Sequence, residues 1–126
     1  MPSPDACPCG RSATYADCCQ PLHTGAATAT TAERLMRSRY SAFVVRNAPY
    51  LRQTWSAKTR PATIDLDPNL QWTGLEIVRT TDGTPFHTEG TVEFRAHYQS
   101  AGTPGTHQET STFTRENGEW VYLSGV

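Results

Sequence analysis

Apolar residues recur at two different periods along this chain, and the change falls near residue 60. In "TTAERLMRSRYSAFVVRN" (30–47), Ala32, Met36, Tyr40, Phe43 and Val44 return at helical spacing and form one stripe, which predicts a helix. Thr30 and Glu33 stand at its start with the spacing of a capping box, in which a hydroxyl and a carboxylate each satisfy an orphan backbone N–H. Asn47 can end this helix or cap the next, "APYLRQTW", where Pro49 is tolerated in a first turn. Beyond "SAKTRPATIDLDPN" the texture is that of strands. "LQWTGLEIVRT" is rich in strand formers, and Gly74 marks a bulge. "HTEGTVEFRAHYQ" alternates, with Val92, Phe94, Ala96 and Tyr98 on one face and Glu93, Arg95 and His97 on the other. "HQETSTFTR" and "EWVYLS" predict a third and a fourth strand, the last with Trp120 and Tyr122 on one face, Val121 and Leu123 on the other, and both faces buried. The connections read as a hairpin turn at "TDGT", a loop at "SAGTPGT" and a turn at "ENG". Helices followed by a hairpin-linked meander predict an α+β fold, helices packed on an antiparallel sheet whose other face is wet.

The opening of the chain fits neither period. "DACPCGRSATYADCCQPLH" holds all four cysteines, Cys7, Cys9, Cys18 and Cys19. "MPSPDACPCG" lacks the basic and apolar regions of a secretory leader, and no run approaches the roughly 18 apolar residues of a membrane span. A cytoplasmic chain is therefore expected, and in that reducing compartment clustered cysteines are metal or redox sites more often than disulfides. A vicinal Cys18–Cys19 bridge would also be strained. Four thiolates suit the tetrahedral preference of one Zn²⁺, with iron the lesser alternative, and four protein ligands leave no open position, so the site is structural rather than catalytic. Pro8 stiffens the turn between the first pair, and Gly10 lets the chain turn away. "SATYADCC" is expected to form a short helix capped by Ser12. Successive side chains diverge, so His23 stands as a substitute ligand for one of the vicinal pair.

At 126 residues, the chain has the length of one domain. The small-residue linker "TGAATATT" divides it into a metal knuckle (1–24) and an α+β body (30–126). Its formal charge of −1 hides an asymmetry. Residues 1–60 carry eight basic and three acidic side chains, against three and nine in residues 61–126. The halves either neutralise each other or present a basic surface near the cysteines to an acidic partner, a protein or ribonucleoprotein. Arg11, Arg34 and Arg39 are the partner-binding candidates. Arg34 lies opposite the apolar stripe, whereas Arg39 lies closer to its centre, where a carboxylate partner is expected. Nothing points to specific DNA recognition.

The run "CPCGRSATYADCC" resembles the SEC-C motif, the zinc knuckle at the C-terminus of the translocase ATPase SecA. The match covers Cys7, Pro8, Cys9, Gly10, Tyr15, Cys18 and Cys19. With "CCQPLHTG", "LMRSRYSAF", "YLRQTW" and the closing "EWVYLSG", the chain resembles the YchJ family, which joins such a knuckle to a nuclear-transport-factor-2-like (NTF2-like, cystatin-like) domain. The resemblance implies a curved sheet wrapped on helices, often around a pocket, and a bound zinc. It names no reaction. Where SEC-C knuckles carry a Gly-Ser-Gly-Lys-Lys-like run, this chain reads "GRSATYAD", so the acidic partner that the SecA knuckle contacts is not implied here.

Two functions follow as expectations. The first is a binding or adaptor module that docks through its knuckle side. The second is a pocket enzyme using acid–base chemistry. Glu93, Arg95 and His97 are its most visible candidates, but they face away from the core side of their strand. His87 and His107 flank loops and are expected in solvent. Trp55, Trp72, Trp120, Tyr40 and Tyr122 are expected in the core and rim, where a small-molecule cavity would also be lined. No catalytic residue is assigned.

Overall fold

The computed structural model of the chain describes residues 6–125. The first five residues and Val126, at the outer ends of the two expected segments, lie outside the described residues. Three helices, α1 (Gln20–His23), α2 (Ala32–Val44) and α3 (Ala48–Gln53), precede four strands. The strands are β1 (Leu70–Asp82), β2 (Glu89–Ser100), β3 (Thr103–Glu116) and β4 (Glu119–Gly125). They pair antiparallel in chain order, the predicted meander. No helix among the described residues is long and apolar enough to cross a membrane.

The alternation of β2 sets the core. Val92, Phe94 and Ala96 point inward and meet Leu35, Met36 and Tyr40 of α2, Phe113 of β3 and Trp120 of β4. A smaller cluster of Leu22, Ala42, Tyr50 and Leu51 seals α3 against the other side of α2. The buried surface of α2 is thus wider than its apolar stripe: Leu35, Ser38, Arg39, Ser41 and Ala42 are buried, while Phe43 and Val44 are only partly so. The reason is that α2 is covered on several sides, by the sheet, by α3 and by the cysteine segment.

The N-cap of α2 lies one residue later than the capping-box spacing indicates. The Thr31 hydroxyl accepts from the Arg34 N–H at 3.0 Å. That register puts Glu33 out of reach of a reciprocal bond, and it pairs with Arg37 one turn on at 3.0 Å. Thr30 instead lends its carbonyl to the Trp120 indole at 3.2 Å. Thr31→Ala should therefore cost about 1 kcal/mol in urea unfolding, and Thr30→Ala close to nothing. Equal losses would place the cap elsewhere. Asn47 caps α3 as expected, accepting from the Tyr50 N–H at 3.1 Å.

Two connections differ from the sequence expectation. β1 runs through Asp82, so the "TDGT" signal marks the entrance to a longer loop. There Gly83 has φ +75°, and a Cβ on it would lie 2.8 Å from that of Ala32. The same approach lets the Ala32 N–H donate to the Gly83 carbonyl at 3.0 Å, tying the hairpin to the start of α2. "SAGTPGT" is mostly strand: Ala101 and Gly102 form a two-residue turn, both with positive φ, and Ser100 pairs with Thr103. An alanine in that conformation is not announced by its residue type. Gly74 does mark a register shift, and Asn117–Gly118 makes the last tight turn.

Candidate metal centre and cavity

The cysteine segment folds through turns, not through the expected helix. A bridge between Ala6 and Thr14 closes a small loop, inside which the Cys7 N–H donates to the Ala13 carbonyl at 3.0 Å. Gly10, with φ +88°, turns the chain back after Cys9. The helix comes about two turns later than expected, with Cys19 at the N-cap of α1 and Pro21 in its first turn. Ser12 caps nothing. All four cysteines are buried and free, and their Sγ atoms lie within 4.8 Å of one another. Four sulfurs at about 2.3 Å from a tetrahedral Zn²⁺ would stand about 3.8 Å apart. Cys9 and Cys18 are 3.6 Å apart, and Cys18 and Cys19 are 3.9 Å apart. The donor set fits the ion in both chemistry and spacing, and the vicinal pair contributes both of its sulfurs to the cluster.

The outer shell comes from α2. Arg34 donates to Cys19 Sγ at 3.5 Å and to the Cys18 carbonyl. Arg37 donates to the Cys9 carbonyl at 2.6 Å, and Ser41 lies 3.7 Å from Cys7 Sγ. Arg11 reaches Cys18 Sγ at 3.9 Å from the solvent side. These cations and donors offset the charge of a four-thiolate site. Without a cation, Cys9 and Cys18 are held protonated. Cys9 is pushed up to about 12, first by its hydrogen bond with Cys19 and then by burial. Cys18 is pushed up to about 11 by burial and by its Cys7 and Cys9 neighbours.

His23 is not a fourth or fifth ligand. Its Nε2 faces the Ser38 carbonyl at 2.8 Å and so carries the proton, while its Nδ1 accepts from the Tyr15 hydroxyl at 2.6 Å. Both nitrogens are spent joining the knuckle to α2. Burial holds this imidazole below the usual histidine range. Two of the three partner-binding arginines also need correction. Arg34 turns toward the knuckle rather than outward. Arg39 is 4% exposed, out of reach of any macromolecule. The carboxylate expected beside it is missing among the described residues. Of the three, Arg11 is exposed and Arg34 half-buried.

Arg39 borders a cavity of about 240 Å³ between α2 and the inner face of the sheet. Trp55, Trp72, Tyr40, Phe43 and Phe94 give it aromatic walls. Its polar wall is β3, where His107, Glu109 and Ser111 point in. Glu109 accepts from the Ser111 hydroxyl at 2.5 Å and from the Tyr122 hydroxyl at 3.3 Å, and lies 3.2 Å from His107 Nε2. Burial, with Glu109 second, pushes the Tyr122 phenol up to about 12. None of this wall stood out in the sequence. Its one signal is the period of two: stepping back from Phe113 puts Ser111, Glu109 and His107 on a single face. His107 is exposed, as expected, yet it edges this cavity. Glu93, Arg95 and His97 stay on the outer face, where Glu76 lies 3.6 Å from Arg95 and 3.7 Å from His97. His87 is exposed and bonds to Thr84.

A four-cysteine knuckle seated on a helix that also walls a cavity under a curved antiparallel sheet defines a class: an NTF2-like domain with a SEC-C motif in front. The family model for the SEC-C motif matches residues 4–21, and that described as "YchJ, middle NTF2-like domain" matches residues 31–125. The chain belongs to the YchJ family, whose curated members carry the name UPF0225. A UPF0225 protein of Streptomyces coelicolor is 56% identical over 125 residues, 99% of this chain and 97% of that one. Another, from Deinococcus radiodurans, is 45% identical over 95% of this chain and 88% of its own length. The solution structure of a SEC-C motif containing protein from Rhodopseudomonas palustris superposes with a TM-score of 0.85 at 31% identity, covering 95% of this chain and 96% of that one. A crystal structure of a SEC-C motif containing protein from Psychrobacter arcticus gives 0.77, also at 31% identity, covering 94% and 80%.

Proposed function

We propose that this chain is a zinc-stabilised cytoplasmic binding protein in which Cys7, Cys9, Cys18 and Cys19 hold one structural Zn²⁺. The observation that carries this reading is the buried set of four sulfurs at tetrahedral spacing, backed by Arg34 and Arg37. A set of four protein ligands leaves no position for water or substrate, so the ion supplies rigidity rather than chemistry. Elemental analysis of protein purified without chelator should find about one zinc per chain, released in step with thiol titration. Thiols that react freely in native protein, with no metal set free, would sink the reading.

The docking face for a protein or ribonucleoprotein partner narrows to the exposed rim around Arg11. Arg11→Gln should lower partner capture in a salt-dependent way, and zinc content measured on the same sample separates that loss from a weakened metal site, since Arg11 also lies 3.9 Å from Cys18 Sγ. Unchanged capture by this variant would remove the rim as the interface. One contact favours a second reading, acid–base chemistry inside the cavity: the His107–Glu109 pair at its edge.

A further inference from the structure

Arg39 is a buried cation without a counter-ion. None of the ion pairs among the described residues involves it. Its Nη1 is fully committed, donating to the Leu51 carbonyl at 2.8 Å and to Thr54 Oγ1 at 2.7 Å, which fixes the guanidinium against the end of α3. Its plane lies against two aromatic rings, with Cζ 4.8 Å from the centre of Tyr122 and 5.2 Å from that of Trp55. Those contacts return part of what desolvation costs. Nε and Nη2 make no hydrogen bond among the described residues, yet no fully buried side-chain nitrogen there lacks a partner. Both therefore keep access to open space, and the open space that Arg39 borders is the aromatic cavity. Nε–H and Nη2–H point the same way from one edge of the guanidinium. That edge is the fork that pairs with the two oxygens of a carboxylate.

Glu109 is the cavity's own carboxylate, and it does not fill this role. Its oxygens are engaged by Ser111, Tyr122 and His107. Of the charges acting on Arg39 it is the weakest, and burial pushes the guanidinium down to about 10, still charged at neutral pH. The cavity thus joins a fixed, unmatched cation to aromatic walls. At about 30 Å³ per water in the liquid, 240 Å³ is the room of roughly eight waters, the size of a single ring with one substituent.

We propose that this cavity binds a small aromatic carboxylate, its ring between Trp72, Phe43 and Phe94 and its carboxylate on the Nε/Nη2 edge of Arg39. The site is separate from the metal centre and takes no part in holding the zinc. The probes are benzoate and its neutral isostere benzamide, titrated into the zinc-loaded full-length protein and followed by the fluorescence of Trp55 and Trp72. Benzoate should bind about tenfold or more tightly than benzamide, because only the anion makes the charge-assisted pair. Arg39→Met, which keeps the bulk and drops the charge, should bring the two affinities together. Equal binding of both probes by the natural protein, or binding of neither at millimolar concentration, would overturn the proposal. That comparison needs no variant and so stands even if Arg39→Met fails to fold. Benzoate preference that survives in a folded Arg39→Met protein would equally refute the role given to Arg39.

Discussion

Changing Cys9 and Cys18 to serine should remove the metal entirely and lower the melting temperature by roughly 10 °C, while the body still unfolds in one cooperative transition. The first part follows from the ligand set, since two thiolates cannot hold what four do. The second follows from α2. Arg34 and Arg37 lose the fixed sulfur and carbonyl acceptors of the knuckle, and at about 1.5 kcal/mol for each charge-assisted bond the loss is on the order of 3 kcal/mol. The body keeps its own core, built from α2 and the sheet. Elemental analysis and a thermal scan check both parts, and a variant that melts like the natural protein would show that the knuckle does not brace α2. The same site sets a pH dependence. In metal-free protein Cys9 and Cys18 titrate near 12 and 11, above the free-thiol value of 9.0. A raised acid favours the folded state while it stays protonated. That contribution is whole below about pH 9 and disappears as pH rises through the folded values. With a metal bound the sign would be the opposite: protons compete for the thiolates, so the ion would leave as pH falls.

Phe113→Ala should cost about 3–5 kcal/mol. Phe113 is fully buried at the centre of the sheet, edge-on to Tyr122 at 5.9 Å, and no neighbour can move in from a paired strand to fill the space. The urea midpoint should fall accordingly. Phe86→Ala is the control: that ring is 95% exposed on the β1–β2 loop and should change nothing. A small loss at Phe113 would mean that the sheet can collapse around the gap.

The spacing of Cys7, Cys9, Cys18 and Cys19 was enough to expect a metal cluster, because a C-x-C and a vicinal pair within thirteen residues have few other uses in a reducing compartment. Period two made the two faces of β2 legible, though the strand runs Glu89–Ser100 rather than 87–99. Two things were hidden. The first is how α2 is shared. Helical periodicity shows which residues are apolar, but Ser38, Arg39 and Ser41 are buried by the knuckle, by α3 and by the Trp55 and Tyr122 rings, contacts no local pattern encodes. Arg39 is the sharpest case: its closeness to the apolar stripe was visible, but its lack of a carboxylate was not. The second is the inner face of β3. Between Thr103 and Thr112 that strand has no apolar side chain to declare which face is buried, so Glu109 and Ser111 read as surface. The cap shift from Thr30 to Thr31 is smaller in kind. Two adjacent threonines offer the same hydroxyl, and the pull of Trp120 on the Thr30 carbonyl decides between them.

The Trp120–Thr30 hydrogen bond spans 90 residues, and it bears on how the chain is made. A ribosome delivers the knuckle and α2 first and β4 last. The strands between can zip up in sequence, since each pairs with its predecessor across a short connection. Helix α2 has α3 beside it, but its sheet-facing side has no such local partner. Leu35, Met36 and Tyr40 stay uncovered until the sheet has emerged and the indole reaches back to Thr30. Through that interval the cysteine loop can already close, given an ion. Chains that stop short of Leu70 would carry a finished knuckle on a helix whose sheet-facing side is bare, a species expected to self-associate before it folds.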